Sequence, residues 1–434
     1  MLTATVNPLK ITLISTYHRN GGAGVAATRL HYALRRQGAD STLLVVQETG
    51  PEPGVISLAN NFWQEKAAFA RFTAERLAFL PHERNKSIRF QFSPALIGAD
   101  LSQHPAVLQA DVIHLHWTTF GMLSVSGLQK LVELGKPVIW TMHDMWAFTG
   151  GCHYSQSCDN YLTHCHHCPY LNRPAPQDLS FRGFERKKVA FANARLQLVS
   201  PSEWLANLAR SASLTRPFET HVIPNPIDTD VFKPADKRAI REKLGLLIDQ
   251  PLLLFGSANT TDPRKGFSYF VEALNLLKNN DLATEPAVLL FGKSAPEAVA
   301  TLPFQVHSLG VLTNETDIVA AYNAADALIV PSLEDNLPNT IVESLACGTP
   351  IIAFKTGGIP EMIQHQKTGY LAQTGSAPEL ADGLNWLLDK TPEQHNELSQ
   401  NARQFALTHY AEAVVTRQYR QLYDKVAQPE NGKP

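Results

Sequence analysis

The sequence has little cysteine, no excess of charge of either sign and no long apolar run. Five cysteines in 434 residues do not make a disulfide scaffold. Lys and Arg number 38 against 40 Asp and Glu, so the net charge of -2 gives no whole-chain attraction to nucleic acid or to an anionic surface. No stretch approaches the ~20 apolar residues that span a bilayer. The opening MLTATVNPLK lacks the apolar core of a signal peptide, so the expected location is cytoplasmic. Repeats of 20–50 residues and low-complexity tracts are also missing, apart from a polar tail after Gln428, which excludes solenoids and arrays.

What is present is a chain that is 44% apolar and 18% charged, long enough for two or three domains. Short apolar runs at 10–15, 41–46, 111–116, 137–142 and 196–200 alternate with helical periodicity, as at 25–37. The same grammar returns at 252–257, 287–291, 327–330 and 351–354, with helices expected at 267–278, 316–325 and 339–346. Strands alternating with helices imply βαβ units and parallel sheets. The expected fold class is therefore α/β, with two doubly wound, Rossmann-like domains facing a central cleft. Three prolines in IPNPIDTDVFKP place the boundary near residues 223–234. The expected domains are 1–223, joined by an amphipathic C-terminal helix at about 409–428, and 224–408.

The most informative segment is PSLEDNLPNTIVESLACGTP, residues 331–350. It follows an apolar strand, Asp335 or Asn336 can cap a helix, and Pro338 suits a first turn. The opening amides near Asn339 and Thr340 would carry the positive end of the helix dipole, which attracts anions. Glu343 would lie ~7–8 Å further along the helix axis than Asp335. Two carboxylates flanking an anion-binding helix start can grip hydroxyls on either side of a diphosphate, a description of a nucleotide sugar. The plainer alternative is a solvated acidic loop.

Here the sequence resembles the retaining glycosyltransferases of the GT-B fold, family 4, also called group 1. That signature is Pro-Ser, an acid, seven spacers, then Glu in E-A-x-A-x-G-x-P. This chain has Pro331, Ser332, Asp335, Glu343, Ser344, Ala346, Gly348 and Pro350, departing at Asp335 and Ser344. The resemblance implies a hexosyl-type transferase moving a sugar, with retention, from a nucleotide-diphosphate donor to a hydroxyl. It places Asp335 at the donor sugar and Glu343 at the ribose. Lys265, in DPRKG at 262–266, would meet the diphosphate, and Arg264 stands in for an arginine that the family carries where Ser257 lies here. Gly22 and Gly24, in GGAG after the first strand, resemble a donor-side glycine loop, and Gly358 belongs to a matching GGIPE. The resemblance places His143, in TMHD, at the reacting carbon, where an imidazole can shuttle a proton. Asp335, Lys265 and His143 are thus the expected catalytic groups, and Gly22, Gly24, Arg264, Lys265, Asn339, Thr340, Glu343 and Gly358 the expected donor-binding ones.

The resemblance implies no cofactor for the transfer itself. The triplet Asp228-Thr229-Asp230 has the form of a metal-binding motif but falls in the interdomain segment, so it is read as part of a hinge. A structural zinc is a separate matter. Cys152, Cys158, Cys165 and Cys168 fall within seventeen residues, interleaved with four histidines, and either thiolate ligation of zinc or a loop of reduced cysteines accounts for that spacing. The expected partners are a nucleotide-diphosphate sugar and a sugar or lipid-linked glycan acceptor, in polysaccharide or glycoconjugate synthesis, with no nucleic acid. Residues 61–92 mix Lys66, Arg71, Arg76, Arg84, Lys86 and Arg89 with aromatics. The plainer reading is a core-packed helix with a solvated basic face; the alternative is peripheral contact with the inner face of the membrane. A nucleotide-sugar 2-epimerase on the same fold, or a zinc-containing binding protein with a dead transferase fold, are the competing functions.

Overall fold

The computed structural model describes residues 9–48, 50–260, 262–280 and 284–428. The chain divides into two compact units: one runs through Pro224 and resumes at Thr416, and the other spans Asn225–Val415.

The first unit holds seven strands: β1 (Lys10–Ile14), β2 (Asp40–Val45), β3 (Val55–Ser57), β4 (Val112–Leu115), β5 (Val138–Thr141), β6 (Leu196–Ser200) and β7 (Thr220–Val222). They pair in the order β3-β2-β1-β4-β5-β6-β7, and every pairing is parallel. The second unit holds β8 (Leu252–Asn259), β9 (Ala287–Lys293), β10 (Val306–Ser308), β11 (Ala327–Val330), β12 (Ile351–Phe354) and β13 (Gly369–Ala372). Their order is β10-β9-β8-β11-β12-β13, again parallel throughout.

The apolar strand runs follow from burial on both faces. In the second sheet Leu252, Leu254, Leu289, Leu328 and Ile351 join one core, while their neighbours Leu253, Val288, Leu290, Ile329 and Ile352 join another. A strand whose successive side chains point to opposite faces must be apolar at every position when helices cover both faces. Parallel pairing also brings all strand carboxyl ends to one edge of each sheet, where ligands of such sheets bind.

Several local expectations need correction. GGAG does not form a loop: Gly21–Arg36 is one helix, so these residues make its first turn. A Cβ on Gly24 would come within 2.9 Å of Tyr17 Cβ, so this glycine lets the helix pack on the preceding segment. The N-cap of the Asn339–Ala346 helix is Pro338, with φ -63° and ψ 121°, rather than Asp335 or Asn336, and a proline offers no side-chain cap. The helix of residues 61–92, Phe62–Phe79, packs only its last aromatic inward: Phe79 is buried against Phe92, while Phe62, Trp63 and Phe69 are exposed.

Candidate active site

Three loops meet at the carboxyl edge of the second sheet. The first follows β8 and carries Asp262-Pro263-Arg264-Lys265-Gly266. Asp262 caps its short 3-10 turn by accepting from Arg264 N at 3.0 Å. Gly266 has φ 67°, and a Cβ there would stand 1.8 Å from Pro331 O. Only glycine lets this loop press against the second one, which follows β11. Leu333 N donates to Arg264 O at 2.8 Å and ties the two together.

Lys265 is thereby aimed at the acidic loop, and its Nζ lies 2.6 Å from Asp335 Oδ2. Both groups are half-buried. The third loop, after β12, grips Asp335 from its backbone side. Gly357 has φ 55°, a Cβ on it would stand 1.8 Å from Asp335 O, and Gly358 N donates to that oxygen at 3.1 Å. The Gly358 amide, expected at the donor, is thus bonded to Asp335. Arg264 Nη2 pairs with Asp262 Oδ2 at 2.8 Å.

Glu343 lies inside the Asn339–Ala346 helix, buried, and its Oε2 accepts from Tyr322 OH at 2.8 Å. Asn339 Oδ1 accepts from Asn225 Nδ2 at 3.0 Å, and Asn339 and Thr340 are half-buried at the helix start. Lys265 and Asp335 are therefore brought together beside these opening amides, while Glu343 is held deeper by a tyrosine that sequence reasoning missed. Asp228, in the rejected metal motif, accepts from Asp230 N and Val231 N and shapes a turn.

The first unit gathers histidines at the carboxyl ends of β4 and β5. His143 Nε2 and His116 Nδ1 are 3.0 Å apart, so one ring donates to the other. Burial pushes His143 down to about 4, and His116 well below the usual imidazole range, so both rings are neutral at pH 7. His114, pushed by burial to about 3, bonds Tyr423 OH at 2.7 Å and Thr141 Oγ1 at 2.8 Å. Tyr419 OH lies 3.0 Å from Thr141 Oγ1. Sequence reasoning missed both tyrosines; their spacing of four on the amphipathic C-terminal helix was the available signal.

A small cavity lies beside these rings, lined by His116, Thr119, Trp140, Met142, His143 and Asp144. His116 Nε2 and Thr119 Oγ1 are buried there without a hydrogen-bond partner. A buried polar atom without a partner is costly, so two at one cavity mark a place for a ligand hydroxyl or water. Asp144 is not free to act: it accepts from Trp146 N, Trp117 Nε1 and His153 Nδ1. Burial would raise its carboxyl, but the His153 ring and these donors hold it below the usual carboxylate range.

The four clustered cysteines line one cavity of about 280 Å3, and none is in a disulfide. Among the described residues, no group of three or more Cys, His, Asp or Glu side chains is placed to hold a metal ion. Spacing brought the thiols to a common cavity without converging them on a point.

The family comparison agrees with this geometry. Residues 236–405 match the family Glycosyl transferases group 1, and residues 20–231 match Glycosyltransferase Family 4. The two matches fall on the two units. The chain is a group 1 glycosyltransferase. It is 28% identical over 358 residues to the putative colanic acid biosynthesis glycosyl transferase WcaC of Escherichia coli K12, covering 79% of this chain and 82% of that protein. Among solved structures, the glycosyltransferase is similar to sucrose-phosphate synthase from Thermosynechococcus elongatus, with TM-score 0.66 and 19% identity over 96% of this chain and 99% of the other. It is also similar to HepE of Anabaena in complex with UDP-glucose, with TM-score 0.63 and 16% identity over 96% and 100%. These likenesses establish the GT-B fold. No described helix of the glycosyltransferase is long and apolar enough to cross a membrane.

Proposed function

We propose that this glycosyltransferase moves a sugar from a nucleotide-diphosphate sugar to a hydroxyl of a sugar or lipid-linked glycan, with retention, in polysaccharide or glycoconjugate synthesis. The observation that carries the reading is the Lys265–Asp335 pair, 2.6 Å apart in the loop that leads into the Asn339–Ala346 helix. An ammonium and helix amides at one place suit a diphosphate whose negative charge grows as the sugar departs. In this reading Lys265 leaves Asp335 for the diphosphate when donor binds, which frees the carboxylate to accept from sugar hydroxyls. Glu343 accepts from the ribose, with Tyr322 holding it in place. The leaving phosphate takes the acceptor proton on the face it vacates, so no enzyme nucleophile is needed and the anomeric configuration is kept. His143 and the turn holding Gly22 and Gly24 are assigned to the donor by family resemblance, and His116 shares that assignment through its bond to His143. The WcaC likeness supports a polysaccharide product, and the HepE complex makes UDP-glucose the first donor to try.

The test is a thermal-shift screen of UDP-, GDP- and ADP-sugars, followed by incubation of the best donor with and without glycan acceptors. Release of nucleotide diphosphate with an acceptor-linked sugar, whose anomeric proton coupling matches the donor, is the expected result. An epimer accumulating from donor alone would overturn the transferase reaction, and an inverted product would overturn retention.

A further inference from the structure

The Phe62–Phe79 helix is amphipathic in the reverse of the usual sense. Its inner face is fixed by Phe79, stacked on Phe92, and by two charged groups. Glu75 accepts from Ala95 N, Leu96 N and Ile97 N at 2.6, 3.0 and 3.2 Å, and Arg76 donates to Arg89 O and Phe92 O at 2.6 and 3.1 Å. The Arg76 guanidinium also lies 4.4 Å from the Phe120 ring. Gly121, with φ 87°, lets the helix backbone come close: a Cβ there would stand 2.8 Å from Phe72 N. The helix is thus locked to its unit by hydrogen bonds and close approach.

Its outer face is apolar. Phe62, Lys66, Phe69, Thr73, Leu77 and Leu80 follow spacings of four, three, four, four and three, which confines them to an arc of roughly 80°. Phe69 is 66% exposed and Leu77 59%, and Trp63, at 79%, flanks the seam against Phe62. Phe90, just beyond the helix, is exposed as well. Contiguous apolar surface of this kind marks an interaction site, whereas scattered exposed side chains would not.

The surrounding charge points to the occupant. Lys66 stands within the seam, its Nζ 5.2 Å from the Phe62 ring centre, and Arg84 and Lys86 are exposed in the segment that follows. Glu75 is buried in its backbone bonds and Glu83 is paired with Arg89 at 3.0 Å, which leaves exposed Glu65 against the exposed cations Lys66, Arg84 and Lys86. An aromatic seam set among an excess of exposed cations fits a surface that is apolar beneath and anionic on top, which is the interface of a bilayer carrying acidic phospholipid.

We propose that this outer face docks the glycosyltransferase on an anionic phospholipid surface, with Phe62, Trp63, Phe69 and Leu77 entering the interface and Lys66, Arg84 and Lys86 meeting headgroup phosphates. The proposal stands apart from the donor-site reading, since none of these residues belongs to that site. The test is flotation of the full chain with vesicles of phosphatidylglycerol and phosphatidylcholine, against phosphatidylcholine alone, at low and high salt. Wild type should float with the anionic vesicles only, and salt should release it. The F69E/L77E double variant should lose at least tenfold in bound fraction, with Lys66→Glu intermediate, while melting temperature and UDP-induced stabilisation stay at wild-type values. Phe69→Leu should restore binding. Wild type that ignores anionic vesicles, or F69E/L77E that floats as wild type does, would overturn the proposal. So would a wild-type dimer in light scattering that F69E/L77E converts to monomer without any vesicle binding, since the face would then join two copies of the chain.

Discussion

Lys265 Nζ and Asp335 Oδ2 lie 2.6 Å apart, although seventy residues separate them in the chain. The pair assembles because Gly266 and Gly357 let two loops press on the loop between them. If Lys265 meets the leaving diphosphate, Lys265→Ala should lower kcat by roughly 10²–10³-fold, the usual loss for one charge-stabilising group. Asp335→Asn should act mainly through the donor sugar. Because the two side chains touch, the double variant should cost less than the sum of the singles in kcat/KM.

Glu343→Ala should weaken donor binding by roughly ten- to a hundredfold, read as loss of the nucleotide-sugar thermal shift, if its carboxylate grips the ribose. The substitution also strands the buried Tyr322 hydroxyl, so a stability loss of about 1–3 kcal/mol should accompany it. Tyr322→Phe separates the effects: it should keep most of the donor response. A Glu343→Ala protein with unchanged donor affinity would reject the assignment.

Gly357→Ala should be damaging out of proportion to its size. At φ 55° any side chain costs about 1–3 kcal/mol, and the new Cβ would also drive Asp335 O from its place. The expected outcome is a lower melting temperature together with a raised donor KM, because the displaced backbone carries the carboxylate proposed to meet the donor sugar. Gly24→Ala, which would crowd Tyr17 instead, should lower stability with less effect on KM.

Acid should loosen the first unit through its histidines. Burial holds His31 and His143 at about 4 and His114 at about 3, below the ordinary 6.5. Between those values the unfolded chain binds protons that the folded one refuses. Stability is therefore fully present above about pH 6.5 and falls as pH drops toward 4. Melting curves from pH 7.5 to 4.5 should show the decline, and His114→Asn should flatten it while lowering the melting temperature at neutral pH.

The strands legible in the sequence were those buried on both faces, since a run such as LLLF at 252–255 leaves no polar position to face water. The three-residue edge strands β3, β7 and β10 left no periodicity to read. The carboxylate cluster was legible because Asp335, Asn339 and Glu343 lie close in sequence, and Lys265 was found only by resemblance. That Arg264 would turn to Asp262 depended on the geometry of a single 3-10 turn. The Phe62–Phe79 helix misled for a general reason: helical periodicity shows that two faces differ, not which one turns inward. The cysteine spacing reported proximity, since the four thiols line one cavity.

One consequence follows from Tyr419 and Tyr423, which bond Thr141 and His114 from the far end of the chain. A ribosome delivers Thr141 278 residues before Tyr419, and His114 309 residues before Tyr423. Until the phenols arrive His114 and Thr141 have each other but not these partners, so the first sheet is completed long after it is made, and a protease that removed the Glu412–Ala427 helix would undo it.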